Sequence, residues 1–189
     1  MTSIRESNIK IAVARTGNVI GGGDWSENRL LPDCIKSWSL KKKVNIRNPN
    51  STRPWQYVLE AVSGYMLLAI KLRLDPRIHG EAFNFGPKLS NNYSVISVLK
   101  EVKRIWPLVS WSVLNKKKDF PESNLLKLNC NKARRNLGWT CILSFKESIK
   151  MTIRWYKAYY ENRDLKKMRK FSENQIIEYT KLISKRSDK

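Results

Sequence analysis

The sequence predicts an α/β fold. Three observations carry that prediction. A β-branched alternating segment runs over residues 9–14, Ile9-Lys10-Ile11-Ala12-Val13-Ala14, as in a sheet strand. Short strand-like segments recur at 44–47, 55–58 and 82–86, and each is followed by a helical pattern or a turn. The amphipathic segments between them have helical rather than alternating periodicity. The order strand, loop, helix, strand, strand, helix, strand, helix, helix is α/β, with too few strands to complete a doubly wound sheet.

Each element has a local reason. Thr16-Gly17-Asn18-Val19-Ile20-Gly21-Gly22-Gly23-Asp24 reads as a loop whose glycines permit a sharp turn or a close backbone approach. Leu30 to Leu40 suits a helix, with Pro32 in its first turn, where a missing N–H costs little. Val44-Asn45-Ile46-Arg47 is a short strand ending in the turn-rich Asn48-Pro49-Asn50-Ser51. Trp55 to Val58 is extended and leads into an apolar helix from Leu59 to Leu74, which Asp75-Pro76 stops. Ala82 to Gly86 is a strand, Val95 to Ile105 an amphipathic helix ended by Pro107, and the alternation from Leu108 to Leu114 allows one more strand. Asn131 to Leu137 reads as a helix with Asn131 as its N-cap and Gly138 as its stop. Phe145, Ile149, Ile153, Tyr156 and Tyr160 share one face of a long helix. Residues 163–189 form a basic tail that is either a helical extension or frayed, giving a division into 1–162 and 163–189.

Composition sets the outer limits. A chain of 189 residues with 41% hydrophobic content is long enough to bury a core and is not a disordered polymer. No apolar run reaches the roughly 20 residues of a membrane span. The first ten residues have no apolar signal core, which predicts a cytoplasmic protein. Cys34, Cys130 and Cys141 are widely spaced and read as buried or neutral thiols of a reducing compartment. The net charge of +21 is uneven: residues 1–90 hold 14 Lys and Arg against 7 acids, and residues 91–189 hold 23 against 9. Such an excess suits an anionic ligand and predicts non-specific attraction to nucleic acid.

Several chemistries fail on spacing. A dinucleotide cradle needs glycines at relative positions 0, 2 and 5, and the tri-glycine at 21–23 puts Ser26 at the last of these. No Walker loop follows any glycine run. His79, the only histidine, sits in a predicted surface connection, and nothing is spaced for zinc. No tyrosine is followed four residues later by lysine. The aromatic residues, Trp155 and Tyr156 among them, lie at core periodicities, and the lysine runs at 41–43 and 116–118 read as solvated loops.

Longer motifs carry a resemblance. They are Arg15-Thr16-Gly17-Asn18-Val19-Ile20-Gly21-Gly22-Gly23-Asp24-Trp25, Arg29-Leu30-Leu31-Pro32, Arg47-Asn48-Pro49 with Arg53-Pro54-Trp55-Gln56-Tyr57-Val58-Leu59-Glu60, and Phe83-Asn84-Phe85-Gly86-Pro87. With Lys127 to Trp139 and the helix carrying Trp155-Tyr156, they resemble the CDP-glucose 4,6-dehydratases, a lyase family of the extended short-chain dehydrogenase/reductase group. The resemblance implies the late strands of a Rossmann-type sheet plus a small α/β substrate-binding domain. It implies lipopolysaccharide sugar chemistry in which bound NAD oxidises C4 of the hexose, water leaves across C5 and C6, and the hydride returns to C6. The GlyxxGlyxxGly turn and TyrxxxLys helix that hold NAD and move the C4 proton have no counterpart here. The expectation is therefore an N-terminally truncated homologue, inactive alone, with no catalytic residue and no bound NAD of its own.

By the same resemblance Asn18 meets a pyrophosphate, Asn28, Arg29 and Leu30 begin the helix that covers it, Arg47 lies near the base and Arg53 binds a phosphate. The expected partners are a CDP-sugar, and either a separate chain carrying the Rossmann part or a second copy. The chain departs from the family at Phe120-Pro121-Glu122-Ser123, where a histidine is usual, and at Asn129, where an aspartate is usual. The rival readings are a nucleic-acid-binding module derived from a decayed enzyme, and another extended short-chain dehydrogenase or epimerase.

Overall fold

In the computed structural model the described residues are 9–89, 91–114 and 128–187. The lysine run at 116–118 and the departure at 120–123 lie outside them. The elements are β1 (Val13–Thr16), β2 (Asn18–Ile20), α1 (Leu30–Ser39), β3 (Val44–Ile46), β4 (Thr52–Arg53), β5 (Trp55–Tyr57), α2 (Val58–Leu74), a 3-10 turn (Pro76–Ile78), β6 (Ala82–Phe85), β7 (Tyr93–Ser94), α3 (Val95–Ile105), β8 (Trp111–Val113), α4 (Asn131–Leu137), α5 (Phe145–Asn162) and α6 (Leu165–Ser187). Strands pair in twos: β1 with β6, β2 with β5 and β3 with β8 in parallel, and β4 with β7 antiparallel. Parallel pairs joined through helices confirm the α/β class.

Helix α5 is the hub. A capping box, Ser144-x-x-Glu147, opens it: the Glu147 amide donates to Ser144 Oγ at 3.3 Å and the Ser144 amide donates to Glu147 Oε2 at 2.7 Å. Phe145, Ile149, Ile153 and Tyr156 then pack with Ile35 of α1 and Val98, Leu99 and Val102 of α3. Met151 faces the other way, into a cluster with Tyr57, Leu143 and Tyr179. A third cluster joins Leu68 of α2, Phe83 and Phe85 of β6, and Leu137 and Trp139 at the end of α4.

Three local expectations change. The first strand begins at Val13, not Ile9, because Ile11 is used by the turn ahead of β6: its amide donates to His79 Nδ1 at 3.1 Å and its carbonyl accepts from the Gly80 amide at 2.8 Å. The supposed loop at Asn18–Ile20 is a strand, because β5 offers it a parallel partner in the register Asn18↔Trp55 to Ile20↔Tyr57. Asn131 is the first residue of α4 rather than its cap; its amide donates to Asn129 Oδ1 at 3.0 Å. Gly138 does stop that helix, in the left-handed region at φ 74°.

Residues 165–187 are helical and docked, with Met168, Gln175 and Tyr179 buried. Polar contacts hold them: Tyr57 Oη donates to Gln175 Oε1 at 3.0 Å, Gln175 Nε2 to the Met151 carbonyl at 2.8 Å, and Tyr179 Oη to Glu60 Oε2 at 3.0 Å. Among the described residues no helix is long and apolar enough to cross a membrane.

Candidate functional site

The segment between β2 and α1 builds one wall of the site. It leaves β2 through Gly21 to Gly23 and reaches the helix through Asn28, which takes a left-handed conformation (φ 60°) that asparagine tolerates. Arg29 follows in extended geometry as the N-cap, and Leu30 opens α1. Pro32 stands where an amide would have no intrahelical acceptor, so the first turn presents its Leu30 and Leu31 amides and the positive end of the helix dipole.

Arg29 also shapes this wall. Its Nη2 donates to the Val19 carbonyl at 2.6 Å and its Nη1 lies 3.2 Å from Asp24 Oδ2. The guanidinium thus ties the segment across its own mouth. Tyr156 Oη closes the far side, donating to the Asp24 carbonyl at 2.7 Å.

The opposite wall comes from β3 to β5. Arg47, exposed, leaves β3 into the Asn48-Pro49 turn. Arg53 sits on β4, held opposite Tyr93 of β7, and its Nη1 donates to the Thr52 carbonyl at 2.9 Å. Asn92 Nδ2 secures the same strand through Thr52 Oγ1 at 3.1 Å.

Between the walls lies a groove of about 290 Å³, lined by Asn18, Asn28, Arg29, Leu30, Arg47 and Arg53 together. All six residues singled out in the sequence meet here, from segments up to 35 positions apart. A smaller cavity of about 130 Å³ shares Asn18 and the start of α1 and runs toward Tyr156. With Arg29 paired to Asp24, Arg47 and Arg53 remain against one carboxylate, Asp33, in the groove lining, so its field favours an anion. Forked guanidinium donors suit phosphate oxygens. Sequence reasoning missed Asn45, Asn48 and the buried Ser51 on the floor; the turn-rich run after Arg47 was the available signal.

The nucleophile and base candidates are otherwise engaged. Burial, and then Asp33, push the Cys34 thiol up to about 12, so it stays protonated at the base of the groove. Burial likewise raises the Tyr156 hydroxyl. His79 lines no part of the groove and bonds Ile11 instead. Among the described residues no group of three potential ligands is placed to hold a metal.

The glycines are explained by packing. A Cβ on Gly22 would lie 2.0 Å from Trp155 Cγ, and one on Gly21 would lie 2.7 Å from Val58 Cγ1. Gly21 and Gly22 therefore admit the chain's own side chains, and Gly23 supplies a left-handed turn at φ 77°.

No protein-family model matches the chain. It is 37% identical over 161 residues to CDP-glucose 4,6-dehydratase of Salmonella typhimurium, covering 85% of this chain and 45% of that protein. It is 23% identical over 158 residues to dTDP-D-glucose 4,6-dehydratase of Homo sapiens, covering 80% and 43%. The chain thus spans less than half the length of these relatives. Among solved structures, epimerase Mth375 from Methanothermobacter thermautotrophicus superposes with a TM-score of 0.70 at 24% identity, covering 86% of this chain and 46% of that one. The dTDP-glucose 4,6-dehydratase of Bacillus anthracis, in complex with NAD, gives 0.62 at 18% identity, covering 79% and 45%. These likenesses establish the fold. The chain is thus similar in sequence to CDP-glucose 4,6-dehydratase over about 45% of that protein's length, and it shares its fold with parts of the Mth375 epimerase and the dTDP-glucose 4,6-dehydratase.

Proposed function

We propose that this chain is the sugar-nucleotide-gripping part of a CDP-glucose 4,6-dehydratase and that it binds a nucleoside diphosphate sugar in the groove between α1 and β4. The observation that carries this reading is the convergence of Arg47, Arg53, Asn18 and the first turn of α1 on one groove. In this arrangement the α1 amides and the Asn18 side chain meet the pyrophosphate, a placement helix N-termini favour. Arg53 takes a phosphate oxygen, its fork steadied by the Thr52 carbonyl. Arg47, at the open end, lies beside the base. Arg29 acts mainly by holding the loop that carries Asn28.

NAD, when present, supplies the hydride acceptor for C4. No glycine run in the sequence has dinucleotide spacing, so the chemistry needs a further NAD-holding polypeptide surface, and these 189 residues alone are inactive. Calorimetry with CDP-glucose tests the binding claim. Half a pocket predicts millimolar affinity, about −4 kcal/mol. Arg53→Ala removes a charge-assisted hydrogen bond, about 1.5–3 kcal/mol, and takes binding below detection. Lys41→Ala, exposed and off the groove, leaves binding unchanged. Wild-type affinity in Arg53→Ala refutes the assignment.

A further inference from the structure

Helix α6 lines no part of the groove, yet it is joined to it side chain by side chain. Two of its buried roots, Gln175 and Tyr179, are polar, and they bond Tyr57, the Met151 carbonyl and Glu60. The helix is set on α5 across a tight bend in which Arg163 takes φ 45°, a left-handed conformation that side chains disfavour. Nearer that bend, Ser172 Oγ accepts the Trp155 indole N–H at 2.9 Å and itself donates to the Met168 carbonyl at 3.0 Å.

The same indole is the floor of the glycine loop. A Cβ on Gly22 would lie 2.0 Å from Trp155 Cγ and one on Gly23 3.5 Å from its Cη2, so two successive residues run across the ring. Trp25 packs beside it, with its ring centroid 6.4 Å from Trp155, 5.5 Å from Tyr156 and 5.0 Å from Tyr159. Between these contacts Asp24 takes the Tyr156 hydroxyl on its carbonyl and pairs its carboxylate with Arg29, the residue that opens α1. The seam is not sealed. A cavity of about 130 Å³ lined by Gly22, Trp155, Ser172 and Gln175 opens along it, which leaves the ring room to turn once its acceptor is gone.

We propose that Trp155 is a positioning residue for the groove, and that docking of α6, through the Ser172 hydroxyl, sets how well the groove holds its anionic ligand. The ligand is that of the proposed function; the link from helix to loop stands on geometry alone. Asn28 in its left-handed conformation and Arg29 tied to Val19 and Asp24 present the α1 amides only while the loop keeps its shape. An indole that turns removes the floor beneath Gly22 and Gly23, and Asp24 carries Arg29 with it. Coupling between two sites is reciprocal, so a ligand at the start of α1 steadies a helix it never touches.

The test uses the whole chain, first without ligand. In nitrogen–proton correlation spectra Ser172→Ala should shift the amides of Asn28 to Leu31 as well as those around Trp155. Ser172→Thr should return them, and Thr180→Ala, which removes an exposed hydroxyl of the same helix, should leave them in place. With CDP-glucose, Ser172→Ala should bind about two- to tenfold more weakly, the range set by one hydrogen bond, and Ser172→Thr as wild type does. CDP-glucose should slow hydrogen exchange of the Gln175 to Lys181 amides in wild type and not in Ser172→Ala. Ligand-free shifts confined to the surroundings of Ser172 and Trp155, or α6 amides indifferent to CDP-glucose in a chain that binds it, would overturn the proposal. A wild type that takes up no CDP-glucose would overturn the groove's assignment instead, and the ligand-free shifts decide the link by themselves.

Discussion

Glu60 gives the most quantitative handle on the fold. It is fully buried on α2, and its Oε1 accepts from the Leu143 amide at 2.6 Å and the Ile142 amide at 3.0 Å, while Oε2 accepts from Tyr179 Oη at 3.0 Å. Glu60→Ala removes the acceptor of both amides and orphans the buried Leu143 amide; Tyr179 keeps Ser63 Oγ at 3.1 Å. One unsatisfied buried donor costs about 1–3 kcal/mol. For a chain of this length that lowers the thermal midpoint by roughly 2–12 °C. Glu60→Gln keeps the acceptor at the two amides and should cost about 1 kcal/mol or less at neutral pH. Burial, opposed by the Leu143 amide and the Tyr179 hydroxyl, holds the carboxyl above its ordinary value of 4.5. The protonated form is therefore the one the fold favours. Its contribution is complete below the ordinary carboxylate value and declines as pH rises through the folded value. Urea denaturation of wild type and Glu60→Gln across that range should show the wild-type advantage shrinking with rising pH. An alanine variant within 0.5 kcal/mol of wild type, or an advantage that grows with pH, would refute the reasoning.

The glycine loop, the catalytic incompleteness and the surface charge each give a further expectation. Gly22→Ala drives a methyl into Trp155, whose ring stacks on Tyr159 and bonds Ser172, and should cost about 1–3 kcal/mol in a urea titration; an unchanged midpoint contradicts the packing account. Purified chain with CDP-glucose and NAD should form no 4-keto sugar above a blank, read by absorbance in base, and turnover would contradict it. Nucleic acid should bind without sequence preference and weaken with salt, with a log–log slope of about −0.9 per phosphate neutralised on B-DNA. Because Met168, Gln175 and Tyr179 root α6 in the core, Lys166→Gln, Lys167→Gln and Lys170→Gln are the changes that should flatten that slope. A hundredfold sequence preference surviving moderate salt would favour a dedicated nucleic-acid module.

Legibility followed the range of the forces involved. Helices α1 and α3 were readable to within a residue, because periodicity and flanking prolines act over a few positions. Strand β2 was hidden: three residues among glycines become a strand only through β5, some 37 positions away. Docking of α6 was hidden likewise, since Tyr179 and Glu60 are 119 positions apart, although a lone acid within the apolar run after Trp55 was a visible hint. At the groove, family motifs named the six residues but not the division of labour. Arg29 was read with Asn28 and Leu30 as opening the helix over the pyrophosphate, and its guanidinium bonds Val19 and Asp24, contacts that no spacing rule encodes.

The most direct test of the central claim is a nitrogen–proton correlation titration of the chain with CDP-glucose, with glucose as the control. Shifts should cluster at Asn18, Asn28 to Leu31, Arg47, Asn48 and Arg53, saturate in the millimolar range, and be absent with glucose. Perturbations confined to other surfaces, equal shifts with glucose, or none at millimolar CDP-glucose would contradict the sugar-nucleotide groove.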